Sequence, residues 1–187
     1  MVIWTTHACS SDFLMVDNIE VADSLINKVR VLCWIMTSPQ TLDTKAIHVN
    51  ATWGQRCNKL IFVSDYENKT FPTINIKVKH GREHLTAKTM AAFDYVYKNH
   101  YNDADWFMKA DDDTYVIVEN LRYFLSSQHT NEPVYFGHPF KMIVKQGFFS
   151  GGAGYVVSKE ALRRFGERSK GFCAKDRGPE DVQWGRC

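Results

Sequence analysis

The sequence predicts an α/β protein built on a mostly parallel, doubly wound sheet, and three observations predict it. Short runs dense in Val, Ile, Leu, Phe, Cys and Trp show little polar alternation, as strands buried on both faces do. Stretches with helical spacing of apolar residues separate these runs. An acidic triplet follows one strand and a glycine cluster precedes another, at the kind of edge where such sheets bind ligands.

Lys28 to Met36 (KVRVLCWIM) is the first strand, and Thr37-Ser38-Pro39 ends it. Leu42, Ala46, Val49 and Trp53 then recur at helical spacing before a second buried strand, Lys59 to Ser64, which completes a βαβ unit. Thr73 to Lys79 alternates apolar and polar residues, as a half-exposed edge strand does. Leu85 to Tyr101 carries Met90, Phe93, Val96 and Tyr97 on one helical face. Asp105 to Lys109 is a short apolar strand running into Asp111-Asp112-Asp113, and Val118 to Ser127 forms the next helix. Val134 to Phe136 and Tyr155 to Val157 are further strands, with Gly151-Gly152-Ala153-Gly154 between them. Lys159 to Lys170 is amphipathic through Ala161, Leu162 and Phe165, and Pro179-Glu180-Asp181 has the proline and acidic first turn of a helix start.

Composition narrows the function classes. With 187 residues, 44% of them hydrophobic, a single domain with a real core is expected, and a disordered or collagen-like chain is excluded. The net charge of +2 and the scattered basic residues lack the footprint of a nucleic-acid binder. No stretch reaches the roughly 18 apolar residues a spanning helix needs. Residues 1 to 27 have no basic start, continuous apolar run or small-residue cleavage site, and read as a weakly ordered leader or stem remnant ahead of one domain at residues 28 to 187.

Three adjacent carboxylates at a strand end repel one another, and a hard divalent cation relieves that repulsion. On an extended segment Asp111 and Asp113 face one side and could share a metal, while Asp112 faces the other. The plainer alternative is a solvated turn or a cap for the helix at Val118. The glycine cluster has two readings, a flexible loop or a close backbone approach to a ligand. Glu180 and Asp181 suit a helix start whether or not they do chemistry, and Lys88 alone is a solvated helix residue. Cys33, Cys57, Cys173 and Cys187 allow three pairings, with Cys9 left over, and no C-x-x-C pair or spaced histidine supports zinc. Asn50-Ala51-Thr52 and Asn68-Lys69-Thr70 fit the glycosylation pattern, Asn68 in the more polar loop.

Ala104 to Val116 (ADWFMKADDDTYV) resembles the DxD region of the inverting β1,3-glycosyltransferases, the family that includes fringe, and is most similar to the branch that builds the core 1 O-glycan. The likeness continues through Val31 to Thr37, Thr52 to Lys59, Val144 to Gly147, Ser150 to Val156 and Ser158 to Leu162, over about residues 28 to 187. The resemblance implies a GT-A-like nucleotide-sugar-binding fold, incomplete at its C-terminus because relatives continue past the cysteine matching Cys187 and supply a metal-binding histidine from there. It implies galactose transfer from UDP-galactose to the 3-hydroxyl of N-acetylgalactosamine on Ser or Thr. Fringe-like N-acetylglucosamine transfer and a truncated non-catalytic or chaperone-like relative stay open as alternatives, although such a chaperone lacks the DxD carboxylates present here.

Carried over by position, the resemblance implies Mn²⁺ held by Asp111 and Asp113, Asp113 the more direct ligand. It implies a nucleotide-sugar site at Thr37, Lys88 and Asp112, a substrate pocket at Gly151, Gly152, Tyr155 and Glu180, and Asp181 as the base that deprotonates the acceptor. It further implies Cys33–Cys57 and Cys173–Cys187 disulfides, a glycan at Asn68, glycoprotein acceptors, a homodimer, a dedicated chaperone, and a type II Golgi membrane protein held by a signal anchor.

Overall fold

The computed structural model describes residues 19–68, 71, 73–141, 147–169 and 171–187. Cys9, the block residues Val144 to Gln146, and Lys69 and Thr70 of the second sequon lie outside the described residues.

Order begins earlier than the leader reading expects. Helix α1 (Ile19–Lys28) occupies its last third, with no residue of its own buried. It is held by contact: Leu25 packs against the core and Asn58 donates a side-chain hydrogen bond to the Ile26 carbonyl at 2.8 Å. Because Lys28 closes this helix, the first strand, β1, starts three residues later than its apolar run suggests, at Val31–Met36. After β1 come a π turn at Leu42–Ala46, helix α2 (Ile47–Ala51) and a 3₁₀ turn at Trp53–Arg56, a single helical stretch in sequence that the chain breaks into three. Strands β2 (Lys59–Ser64) and β3 (Thr73–Asn75) follow, then the long helix α3 (Leu85–His100), strand β4 (Trp106–Asp111) and helix α4 (Val118–Leu125). The last third holds β5 (Tyr135–Gly137), the two-residue pair β6 (Pro139–Phe140) and β7 (Phe148–Phe149), β8 (Tyr155–Ser158), α5 (Lys159–Gly166) and α6 (Glu180–Arg186).

Six strands form one sheet in the order β3-β2-β1-β4-β8-β5. The first four are parallel, whereas β8 runs antiparallel to both β4 and β5. The reversal has a local cause: a parallel return needs a crossover of a dozen or more residues, usually a helix, and the described chain between β5 and β8 holds the short β6–β7 pair and no helix. The order turns around at β1, since β2 and β3 build outward on one side of it and β4 is laid down on the other. That switch point opens a crevice beyond the carboxyl ends of β1 and β4, where Met36 pairs with Asp111.

Alternation along the strands feeds two cores. On one face Val31, Cys33, Ile35, Trp106, Met108 and Ala110 meet Leu42, Val49 and Trp53 and the α4 residues Val118, Leu121 and Leu125. On the other, Leu32, Trp34, Met36 and Phe107 meet Met90, Phe93 and Val96 of α3, Leu162 and Phe165 of α5, and Trp184 of α6. Phe93 stacks on Trp184, ring centroids 3.9 Å apart, so α6 is clamped onto α3. Among the described residues no helix is long and apolar enough to cross a membrane.

Two disulfides are present, Cys33–Cys57 and Cys173–Cys187. The first ties the middle of β1 to the loop before β2 across 24 residues, and the second brackets α6. Cross-linking a loop of this length removes unfolded-state entropy worth about 3 kcal/mol. The Cys33→Ala/Cys57→Ala variant is therefore expected to lose about that much stability in denaturant titration, and a loss below ~1 kcal/mol would show that the crosslink does not restrain the unfolded chain. Asn50 stands exposed in α2, while the Asn68 side chain accepts from the Phe71 amide at 3.2 Å in a half-buried loop.

Candidate active site at the sheet switch point

The acidic triplet is not an extended segment. β4 ends at Asp111, and the Thr114 amide donates to the Asp111 carbonyl at 3.1 Å, closing a turn over Asp112 and Asp113. The reading that Asp111 and Asp113 share a side while Asp112 faces away fails for that reason, because a tight turn cancels strand alternation. Each carboxylate instead takes its own partner. Asp111 Oδ1 accepts from Lys109 at 2.6 Å, Asp112 Oδ2 from the Thr37 hydroxyl at 2.7 Å, and Asp113 Oδ2 from Lys45 at 2.8 Å. Nor does the triplet cap α4, whose N-cap is Ile117. The turn rests on the protein beneath it, since Trp53 donates its indole N–H to the Thr114 carbonyl and the Thr114 hydroxyl donates to the Gly152 carbonyl at 2.9 Å.

Thr37 and Asp112 thus meet in the crevice, Thr37 from the end of β1 and Asp112 from the end of β4. Lys88 is not a solvated helix residue. Its side chain is buried and donates to Asp65 Oδ2 at 2.7 Å, an oxygen also 3.0 Å from His80 Nδ1. Asp65 follows β2 as Asp111 ends β4, so this pair sits at the same edge of the sheet. The position of Asp65 directly after a buried strand is the signal that would have found it.

The glycine segment joins the acidic turn to α6. The Gly154 amide donates to the Gly151 carbonyl at 3.0 Å, and Gly154 has φ +78°, a region L side chains rarely adopt. At Gly151 an added Cβ would lie 2.4 Å from Glu180 Oε2, so the protein itself accounts for that glycine. At Gly152 a Cβ would meet no atom within 4 Å, and the residue is exposed. Tyr155 and Glu180 differ from Gly152: Tyr155 is fully buried and donates its hydroxyl to Glu180 Oε1 at 2.8 Å, and both lie behind the crevice wall. Asp181 is partly open, with one carboxylate oxygen accepting from the Gly151 amide at 3.2 Å and the other from the Val182 amide at 2.8 Å.

Lys109 organises the charges beneath this surface. It is almost fully buried, donates to Asp111 Oδ1 at 2.6 Å and to the Gly151 carbonyl at 3.0 Å, and stands 3.8 Å from Glu180 Oε2. Burial works against its charge, but Glu180 and Asp111 outweigh burial and hold its pKa above the ordinary lysine value. Burial pushes the Glu180 carboxyl up, with Lys109 opposing, and pushes the Tyr155 hydroxyl well up, with Glu180 adding to it. Asp113 is held below the usual carboxylate range by the Lys45 hydrogen bond. Neither Lys45 nor Lys109 is among the residues to which the sequence motifs point. For Lys109 the signal was present: a lysine inside a strand buried on both faces must have a charged partner.

The donor set suits a hard cation completed by its substrate. Among the described residues no group of three or more His, Cys, Asp or Glu side chains is gathered to hold a metal alone. Divalent cations at phosphate sites, however, take one or two carboxylates and fill the rest of their shell with phosphate oxygens and water. Asp113, whose side chain is 59% exposed and whose partner Lys45 is itself exposed, is free to supply such an oxygen.

A six-stranded, mostly parallel sheet of this order with helices on both faces is consistent with a GT-A-like α/β fold. A sequence model of the Fringe-like family matches residues 28–187, and the chain belongs to that family. It is 48% identical over 178 residues to glycoprotein-N-acetylgalactosamine 3-beta-galactosyltransferase 1 of Xenopus laevis, covering 95% of this chain and 49% of that protein. It is 29% identical over 142 residues to a beta-1,3-glucosyltransferase of Mus musculus, covering 74% of this chain and 29% of that one. With chondroitin sulfate synthase 3 of Mus musculus it shares 26% identity over 175 residues, covering 82% of this chain and 20% of the relative. The chain spans about half the length of the first of these relatives and less of the others.

Proposed function

We propose that this protein is an inverting, metal-dependent glycosyltransferase that moves galactose from UDP-galactose to the 3-hydroxyl of N-acetylgalactosamine on Ser or Thr. The observation that carries the reading is the crevice itself: Thr37 and Asp112 bonded across the switch point, with Asp113 open beside them and the partly open Asp181 bonded to the glycine turn that Thr114 ties to the acidic turn. The choice of donor and acceptor is supported by the 48% identity to the Xenopus enzyme, whose name specifies a galactosyltransferase acting on glycoprotein N-acetylgalactosamine.

In this reading Thr37 and Asp112 bind and orient the sugar nucleotide, Lys88 adds its positive charge at the same sheet edge through Asp65, and Asp113 would hold Mn²⁺ while Lys109 keeps Asp111 behind it. What the ion supplies when bound is neutralisation of the diphosphate charge as UDP departs. Asp181 accepts the proton of the acceptor 3-hydroxyl while that oxygen forms its bond to the anomeric carbon. The bond from that carbon to the UDP oxygen breaks on the opposite face, its electron pair leaving with UDP, and configuration inverts. Gly152, exposed and without a side chain, lets substrate approach the backbone between the two carboxylates. The two disulfides suit an oxidising compartment, in keeping with residence in the Golgi membrane.

The test is transfer of labelled galactose to an N-acetylgalactosaminyl-threonine peptide, with Mn²⁺ or with chelator, and with UDP-N-acetylglucosamine as a second donor. Metal-dependent galactosyl product supports the reading. Transfer from UDP-N-acetylglucosamine alone would move the protein to the fringe-like activity, and UDP binding without any transfer would make it a non-catalytic relative.

A further inference from the structure

We infer that Lys109 is the positioning residue that keeps Asp181 in register with the acidic turn, acting through the peptide of Gly151. The inference rests on the reading of Asp181 as the base.

Strand alternation places Lys109 on the sheet face shared with Phe107, paired with the buried Tyr155 on β8, where an apolar side chain would ordinarily sit. A lysine kept there has to be satisfied by specific partners, and two hydrogen-bond acceptors and one ion-pair partner come from three segments. Asp111 belongs to β4, Gly151 to the glycine turn, and Glu180 to the first turn of α6. One cation therefore sits among carboxylates that would otherwise repel, and holds together segments 42 and 71 residues away in sequence.

Gly151 makes the connection directional. Its carbonyl accepts from Lys109, and its own amide donates to Asp181 Oδ2. Its missing Cβ allows Glu180 to close on Lys109 from the same side, with Tyr155 fixing the far oxygen of that carboxylate. Lys109 is too deeply buried to touch substrate, so its influence passes through these contacts. Displacing a reacting group by an ångström is enough to lower turnover by about two orders of magnitude.

The experiment uses Lys109→Met in the full chain, with Tyr155→Phe as a milder partner that removes one hydrogen bond and strands no charge. In Lys109→Met, kcat for galactosyl transfer is expected to fall about 30- to 100-fold, while the KM for UDP-galactose and the affinity for UDP stay within ~3-fold. Amide hydrogen exchange at Gly151 and Val182 is expected to rise at least ~10-fold, with β1 and β2 amides unchanged. Tyr155→Phe is expected to move the same quantities in the same direction by about 3- to 10-fold, and decides the matter if Lys109→Met does not fold. Unchanged kcat and exchange in a folded variant, or a loss confined to donor KM, would overturn the inference. If wild-type protein transfers no sugar, the assignment of the base fails separately, and the exchange measurements still decide whether Lys109 holds Gly151 and α6.

Discussion

Asp181→Asn is expected to lower kcat by about 10²- to 10⁴-fold with little change in UDP affinity, because general-base removal costs that much when the proton has no other acceptor. The substitution keeps the size of the side chain and one acceptor oxygen, so it can keep the bond from the Gly151 amide at the expense of the one from the Val182 amide. What it removes is the basic oxygen. Glu180 is a poor substitute despite being the next residue, since it is buried against Tyr155 and Lys109 and cannot reach an acceptor in the crevice. Steady-state kinetics with a GalNAc-threonine peptide, paired with calorimetric UDP titration, make the measurement. A kcat within ~10-fold of wild type would remove Asp181 from the chemistry, whereas a parallel collapse of UDP affinity would mark it as a binding or structural residue.

The second large effect belongs to Asp113→Ala. Loss of a charged ligand should weaken Mn²⁺-dependent UDP binding by about 10- to 100-fold, as expected when a charge-assisted contact worth roughly 1.5–3 kcal/mol disappears. Turnover should fall further, by about 10³-fold, because the charge on departing UDP would no longer be offset. Stability should barely move: the ion pair with Lys45 is exposed on both sides, and pairs of that kind contribute about 0–1 kcal/mol. The same titration in chelator is the internal control, since wild type and variant should there bind UDP equally weakly. Equal metal-dependent binding in the two proteins would exclude Asp113 as a ligand.

The elements most easily read from sequence were those with a strong apolar period. β1, β2, β4 and α3 lie close to where KVRVLCWIM, KLIFVS, DWFMK and the Met90-Phe93-Val96 face place them, because burying those residues admits few alternatives. The edge position of β3 followed from its polar alternation. Helix α1 was missed because none of its residues is buried: it is retained by Leu25 and a bond from Asn58, thirty-two residues from Ile26, and no local pattern announces that. The antiparallel β8 was likewise invisible, since strand direction depends on what the connection contains.

The site divides along the same line. Carboxylates at a strand end, glycines before another strand and an acidic helix start are local features, and the chain order alone brings them to one edge of an α/β sheet. The turn at Asp112 and Asp113, the Thr37–Asp112 bond, the burial of Tyr155 and Glu180 and the partners of Lys88 and Lys109 follow from contacts between residues two to 75 positions apart. Apolar periodicity selects the face a residue occupies, because burial depends on its own chemistry. Which cation meets which carboxylate, and which of the three cysteine pairings forms, depends on the distance between elements after they pack, and that distance exists nowhere in the chain until the two cores have closed.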